Sequence, residues 1–157
     1  MKESVQTHAT SPRVPAKRRP TTRKSDDDVP AAEVRALLAN SLAARQQRLA
    51  AADMISTDEA ARFADTTRVT INSWIAKGRA IGLTQTKRGF RMPRWQFEPT
   101  MWDQLPRISA ALGTAEGWAL LSFLESPHSA LGGLAPRQAI EQGRADRVAA
   151  SAEQEGT

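Results

Sequence analysis

The run Ser56-Thr57-Asp58-Glu59-Ala60-Ala61, followed after Arg62 to Thr66 by Thr67-Arg68-Val69-Thr70-Ile71-Asn72-Ser73-Trp74-Ile75-Ala76-Lys77-Gly78-Arg79, decides the fold. Ser56 to Glu59 has the form of a capping box: the Ser56 hydroxyl serves an N–H three residues on, and Glu59 reaches back. A helix is expected from there through Phe63 to about Ala64, its small alanines letting a second helix come close. Asp65 and Thr66 break it, Thr67 is placed as the N-cap of a second helix running to about Lys77, and Gly78 stops that one. Two short helices and a tight turn, a helix-turn-helix, follow from this spacing.

In the second helix Ile71, Trp74 and Ile75 share a face that suits a core, so Arg68, Val69, Asn72 and Ser73 face away from it. They lie near the helix N-terminal half, where backbone N–H groups favour phosphate and where a recognition helix meets bases. Arg68 matches guanine, Asn72 matches adenine, and Thr67 and Thr70 suit phosphate oxygens. Past Gly78 the period changes. Ile81 and Leu83, then Phe90 and Met92, flank a polar tip of Lys87, Arg88 and Gly89, which predicts a short β-hairpin, or wing. Lys87, Arg88 and Arg91 would then lie on the DNA backbone or in the minor groove, with Lys77 and Arg79 also holding phosphates; a structural hairpin with surface cations is the plainer alternative.

Between Thr66 and Phe97 the chain has seven cations (Arg68, Lys77, Arg79, Lys87, Arg88, Arg91, Arg94) and no Asp or Glu. Such a field suits a phosphate backbone, although a solvated basic face has the same composition. The net charge of +5 is otherwise concentrated in residues 1 to 25, where seven Lys or Arg stand against Glu3 alone. With almost no large apolar side chain, residues 1–30 cannot offset their ordering entropy and are expected to be disordered. They would act as a basic arm that adds affinity for nucleic acid, or as a solubilising tail.

Residues 31–52 are rich in helix formers, with Val34, Leu37, Leu38, Leu42 and Leu49 on one face. That stripe must be covered by the rest of the chain or by a second copy, so a homodimer seam is one of its two readings. Beyond a helix-turn-helix module at 53–98, residues 99–157 are expected to be helical. Leu105, Ile108 and Leu112 mark a helix ended by Gly113; Thr114 is placed to cap the next, which carries Trp118, Leu120, Leu121, Phe123 and Leu124 up to Pro127. Leu131-Gly132-Gly133-Leu134 then turns the chain, Pro136 begins a short helix ended by Gly143, and a last helix follows from Asp146. The expected class is therefore mainly α: a disordered basic N-terminus, a helix, a winged helix-turn-helix with a short β-hairpin, and a small helical domain.

The absence of cysteine excludes a disulfide framework and thiolate metal sites. No apolar run approaches membrane-spanning length, and the N-terminal stretch has no apolar signal region, while Pro12, Pro15 and Pro20 break any amphipathic transit helix; a cytoplasmic protein is expected. No Gly-rich phosphate loop occurs. His8 and His128 have no partner placed for acid–base or metal work, and Glu116 and Glu125 do not share a helix face, so no catalytic group, metal or cofactor is expected and the chain is read as a non-enzyme.

The run Ser56 to Arg79 resembles the winged helix-turn-helix of MerR and excisionase-type DNA-binding proteins, with Asp65 and Thr66 standing where that family often has Gly and an aliphatic residue. The order Trp118, Leu124, Pro127, Leu131-Gly132-Gly133, Pro136, Ala139-Ile140 and Gly143 resembles the C-terminal toxin-binding domain of Xre/MbcA/ParS antitoxins, although that family more often carries an all-helical DNA domain. Together these resemblances imply an antitoxin of a type II toxin-antitoxin system. It would neutralise a cognate toxin, commonly of the RES or ParT type, and repress its own operon by binding double-stranded DNA. They imply toxin contacts at Leu131, Gly132 and Gly133 and along the C-terminal end from Arg144, including Arg147. The alternative is a free-standing transcription or excision regulator whose helical part only dimerises.

Overall fold

Pro30 opens the first helix by offering its carbonyl to Glu33 and Val34 at 2.9 and 3.0 Å. Its fixed φ and missing N–H are harmless at that place. The computed structural model describes residues 30–84 and 89–157, so the expected disordered arm falls outside it except for Pro30. α1 spans Ala31–Leu49, beginning in one compact unit (residues 1–39) and ending in a second (40–157). In the first unit Val34, Leu37 and Leu38 are 40%, 60% and 59% exposed; in the second, Leu42 is 53% exposed. Core burial, one of the two readings of this stripe, is thus not found for these four residues. Of the stripe, Leu49 alone packs against a core cluster.

The end of α1 is fastened by charge as well as by Leu49. Arg48 makes a bidentate pair with Asp53 at 2.7 and 2.8 Å and a second with Glu125 at 2.8 and 3.1 Å, and the Arg45 guanidinium stands 4.9 Å from the Trp118 ring centre. The Arg48 hydrogen bonds hold the Asp53 carboxyl below the usual carboxylate range, against the opposing effect of burial.

A small antiparallel ribbon follows. β1 (Met54–Ser56) pairs with β2 (Arg91–Pro93) in the register Met54 with Pro93, Ile55 with Met92 and Ser56 with Arg91. This corrects the expected hairpin: Leu83 contributes a single bridge to Arg91, with reciprocal hydrogen bonds of 2.8 Å, and the main partner of β2 is the segment ahead of Ser56. Successive strand residues point to opposite faces. Met54 accordingly joins a core with Ile81, Leu83, Trp95, Leu120 and Leu124, whereas Ile55 and Met92 join another with Ala60, Ala61, Ile71 and Ile75. One two-stranded ribbon thus serves two cores.

α2 (Thr57–Phe63) and α3 (Arg68–Ala76) pack on each other through Ala60, Ala61, Ile71 and Ile75. Asp65, in the turn between them, has φ 53°, and is the one non-glycine with positive φ among the described residues. Asp tolerates this left-handed conformation better than most side chains, so it does the work that glycine would do there. Gly78 ends α3 with φ 74°, and a Cβ there would stand 2.1 Å from the Ser109 hydroxyl oxygen. Only glycine meets both conditions.

The remainder is helical. A 3-10 turn at Arg94–Phe97 leads to α4 (Pro99–Trp102), α5 (Leu105–Leu112), α6 (Gly117–Glu125), a second 3-10 turn at Ser129–Leu131, α7 (Pro136–Glu141) and α8 (Ala145–Gly156). α6 is capped by Glu116, whose carboxylate accepts the N–H groups of Trp118 and Ala119 at 3.1 and 2.7 Å. Thr114, the expected cap, instead accepts the N–H of Glu116. α8 runs along α5, with Arg107 bound to Asp146 at 2.7 Å and Gly156 so near Ala111 that a Cβ would stand 2.3 Å from its carbonyl oxygen. The described residues are thus mainly helical with one small antiparallel sheet, and none of their helices is long and apolar enough to cross a membrane.

Candidate nucleic-acid interface

α3 owes its orientation to its two buried isoleucines. Ile71 and Ile75 are 0% and 7% exposed, which fixes the helix by its inner face and turns Arg68, Val69 and Asn72 outward. Val69, 78% exposed, is the most exposed large apolar side chain described. Leaving it in water is unfavourable by hydrophobic transfer, and an apolar contact with a thymine methyl would relieve that. Ser73 is half-buried at the edge of the same face.

The helix start is pre-formed. Thr67 accepts the N–H of Thr70 at 3.2 Å, and the two hydroxyls lie 3.1 Å apart, so both residues expected to meet phosphate stand side by side at the first turn. No acidic residue lies in that turn. The Ser56 half of the expected capping box is present on α2, with its hydroxyl accepting Glu59 N–H at 3.1 Å.

Arg68 Nη1 lies 3.7 Å from Asp58 Oδ1, with both side chains more than half exposed. The same guanidinium borders the segment entering β2: a Cβ placed on Gly89 would be 3.7 Å from Arg68 Nη2. The first turn of α2, the start of α3 and the Gly89 backbone therefore meet at one side chain. Arg91 and Arg94 are exposed in and just after β2, and Lys77 is exposed at the C-cap of α3. Lys87 and Arg88, both assigned to the wing, lie outside the described residues.

Arg79 is placed differently from the other cations. Its guanidinium lies 3.5 Å from the Trp102 ring centre and donates to the Trp102 carbonyl, and burial pulls its pKa below the ordinary value while Asp103 opposes the shift. Trp102 also meets Trp74 edge-on at 5.0 Å and stacks on Phe97 at 5.3 Å, and Phe63 tilts onto Phe97 at 5.8 Å. These four aromatic residues and Ala64 line a shallow cleft of about 200 Å³. Arg79 thus belongs to a packed aromatic cluster, and Trp74, assigned to the core, is only half-buried beside it.

The proposed toxin contacts divide by exposure. Leu131 is 1% exposed and belongs to the core, whereas Gly132, Gly133, Arg144 and Arg147 are exposed. Gly132 and Gly133 both have positive φ and no heavy atom within 4 Å of where a Cβ would stand, so their role is backbone direction rather than close packing. His128 has a neighbour that its loop position does not reveal. Its Nε2 lies 2.5 Å from Glu155 Oε1 and its ring meets Phe123 edge-on, at the border of a cavity of about 350 Å³ that Ser122 and Ser126 also line. Neither Pro127 nor the loop around it announced a partner 27 residues away.

Gln96 is a functional support that the sequence reading missed. Fully buried, it accepts Ile81 N–H at 2.7 Å and donates to the carbonyls of Ile81 and Pro93 at 2.9 and 3.0 Å. It ties the Ile81 peptide to the end of β2 at Pro93. Among the described residues no group of three or more His, Cys, Asp or Glu is placed to hold a metal. No known protein family, curated protein or solved structure matches the chain.

Proposed function

We propose that this protein binds double-stranded DNA through a winged helix-turn-helix formed by α2, α3 and the segment between Leu83 and Arg91. The observation that carries this reading is the outward face of α3. It presents Arg68, Val69 and Asn72 from a helix anchored by the buried Ile71 and Ile75, beside the Thr67–Thr70 pair and with Arg68 bordering Gly89. In this reading Arg68 and Asn72 read base edges, Thr67, Thr70 and Ser73 set the helix on the backbone, and Lys77, Lys87, Arg88 and Arg91 add phosphate contacts. Arg79 supports the fold beneath them.

The biological role that fits both halves is that of a cytoplasmic antitoxin of a type II toxin-antitoxin system. It represses its own operon and sequesters a toxin, of RES or ParT type, with its C-terminal helices. The support is the order of elements after Pro127: a 3-10 turn, two glycines of positive φ, a proline-started helix, a glycine stop and a terminal helix. The exposed stripe of α1 favours a homodimer, which matches the two-fold symmetry of most operators. A free-standing transcription or excision regulator shares the DNA half and lacks the toxin.

Fluorescence anisotropy with the DNA upstream of the protein's own reading frame, titrated at several salt concentrations, tests the first part. Specific binding should be lost in the Arg68→Ala, Asn72→Ala double variant. Specific binding that survives both changes overturns the recognition-helix assignment. Co-expression with the adjacent gene product tests the second part: a stable complex supports the antitoxin role, and its absence leaves the regulator.

A further inference from the structure

We propose that Asp58 is a positioning residue for base reading: it holds the Arg68 guanidinium in the orientation that meets a base edge, so that discrimination, more than affinity, depends on it. The inference rests on the DNA-binding reading of α3. Its own basis is the placement of one acid. The stretch from Thr66 to Phe97 has no Asp or Glu, yet a carboxylate is supplied to its first arginine from outside, by the first turn of α2.

Arg68 Nη1 and Asp58 Oδ1 stand 3.7 Å apart, and the side chains are 59% and 66% exposed. Exposed pairs at such distances contribute little to folding, so stability does not explain the arrangement. For a DNA-binding surface a carboxylate should also be unfavourable, because it repels phosphate. What it supplies is direction. A free arginine stem samples many rotamers, whereas a carboxylate 3.7 Å from one guanidinium nitrogen biases the stem toward the rotamers that keep this pair together.

Both partners sit at capped helix starts. Asp58 is held by a helix start whose geometry is set by the Ser56 cap, and Arg68 is the first residue of a helix capped by Thr67. The guanidinium also borders Gly89, where a Cβ would stand 3.7 Å from Nη2, in ordinary van der Waals contact with it. Bidentate recognition of a guanine needs two donors in a fixed plane, and the pairing is geometrically demanding in a way that phosphate contact is not. With Asp58 beside Nη1 and the Gly89 backbone beside Nη2, the guanidinium is flanked by two neighbours while its side chain stays 59% exposed to a docked groove.

The test is a binding-site selection from a randomised DNA library, followed by anisotropy on the preferred site and its single-base variants. It compares wild type, Asp58→Asn, Asp58→Glu, Arg68→Ala and the Asp58→Asn, Arg68→Ala double variant. Asp58→Asn should bind random-sequence DNA at least as tightly as wild type. Its preference at the base pair read by Arg68 should fall by about fivefold or more, the scale of one lost bidentate contact. The double variant should discriminate no worse than Arg68→Ala alone, and Asp58→Glu should recover part of the preference. Unchanged thermal melting of Asp58→Asn accompanies this result, since both groups are exposed. The inference is overturned if Asp58→Asn keeps the wild-type preference, or if its effect persists undiminished in the Arg68→Ala background. Failure of the wild type to bind any DNA at low salt overturns the DNA-binding reading itself, a different result from DNA binding with unaltered discrimination.

Discussion

The side-chain amide of Gln96 lies on the peptide of Ile81, taking its N–H at 2.7 Å and returning a bond to its carbonyl at 2.9 Å. A side chain thus substitutes for a strand partner at a place where the ribbon has none. Replacing Gln96 by Ala would remove the partner of the buried Ile81 N–H and of the Ile81 and Pro93 carbonyls and open a cavity. The expected loss is about 2–4 kcal/mol of unfolding free energy. Chemical denaturation checks it, and a loss below about 0.5 kcal/mol would mean that the Ile81 peptide finds other partners.

Asp65 occupies the left-handed region at φ 53° between α2 and α3. Asp65→Gly should be neutral or stabilising by up to about 1 kcal/mol, because glycine meets the same φ without a Cβ penalty. Asp65→Val should cost about 1–2 kcal/mol. Thermal melting of the two variants separates them. Equal melting would show that the turn adjusts its backbone.

The Asp53 carboxyl, held down by Arg48, gives a pH-dependent contribution. A depressed folded-state pKa stabilises the protein above the unfolded-state carboxylate pKa of about 4, and this stability is lost as pH falls through the folded value. Wild type should therefore exceed Asp53→Asn in stability at pH 7, and the gap should close below about pH 4. With Asp53 partly solvated, the neutral-pH gap should be about 1 kcal/mol. Denaturation of both proteins at pH 7 and pH 3 measures it, and a gap that widens at low pH would refute the assignment.

Lys77 and Arg79, two residues apart, should answer differently to truncation. Lys77→Ala removes an exposed cation and should lower the slope of log affinity against log salt by about 1, with melting unchanged. Arg79→Ala removes the cover of the Trp102 ring and should lower stability by about 1–2 kcal/mol. Titrations at graded salt, paired with melting curves, distinguish them. Equal salt slopes for the two variants would show that stacking does not withhold Arg79 from solvent-exposed contacts.

The helices α2 and α3 and the turn between them are legible because their signals are local. Ser56, Thr67 and Gly78 each act within a turn of their own position, and Ile71 and Ile75 fix the helix face by spacing alone. What sequence could not supply is any choice among distant partners. The segment Met54–Ser56 is too short to show a period, so β2 was matched to its nearer neighbour at Leu83. Arg79 looked like its exposed neighbours because cation–π contact with Trp102 leaves no mark on charge pattern. His128 and Glu155 meet only because α8 returns along α5. The α1 stripe was correctly seen as apolar, but periodicity cannot say what covers it.

Because Met54 and Ile55 face opposite ways along one strand, the core beneath α2 and α3 and the core of the C-terminal helices share that strand, so pulling the two apart exposes both interiors. Anything captured at the C-terminal end will therefore be felt at α3 as added resistance to unfolding, even where the bound molecule touches nothing near Arg68. Conversely, a protease that opens the C-terminal helices would uncover Met54 and loosen the strand that carries Ile55 beneath α3 in the same event. In the proposed role, DNA binding and toxin capture would then be lost together.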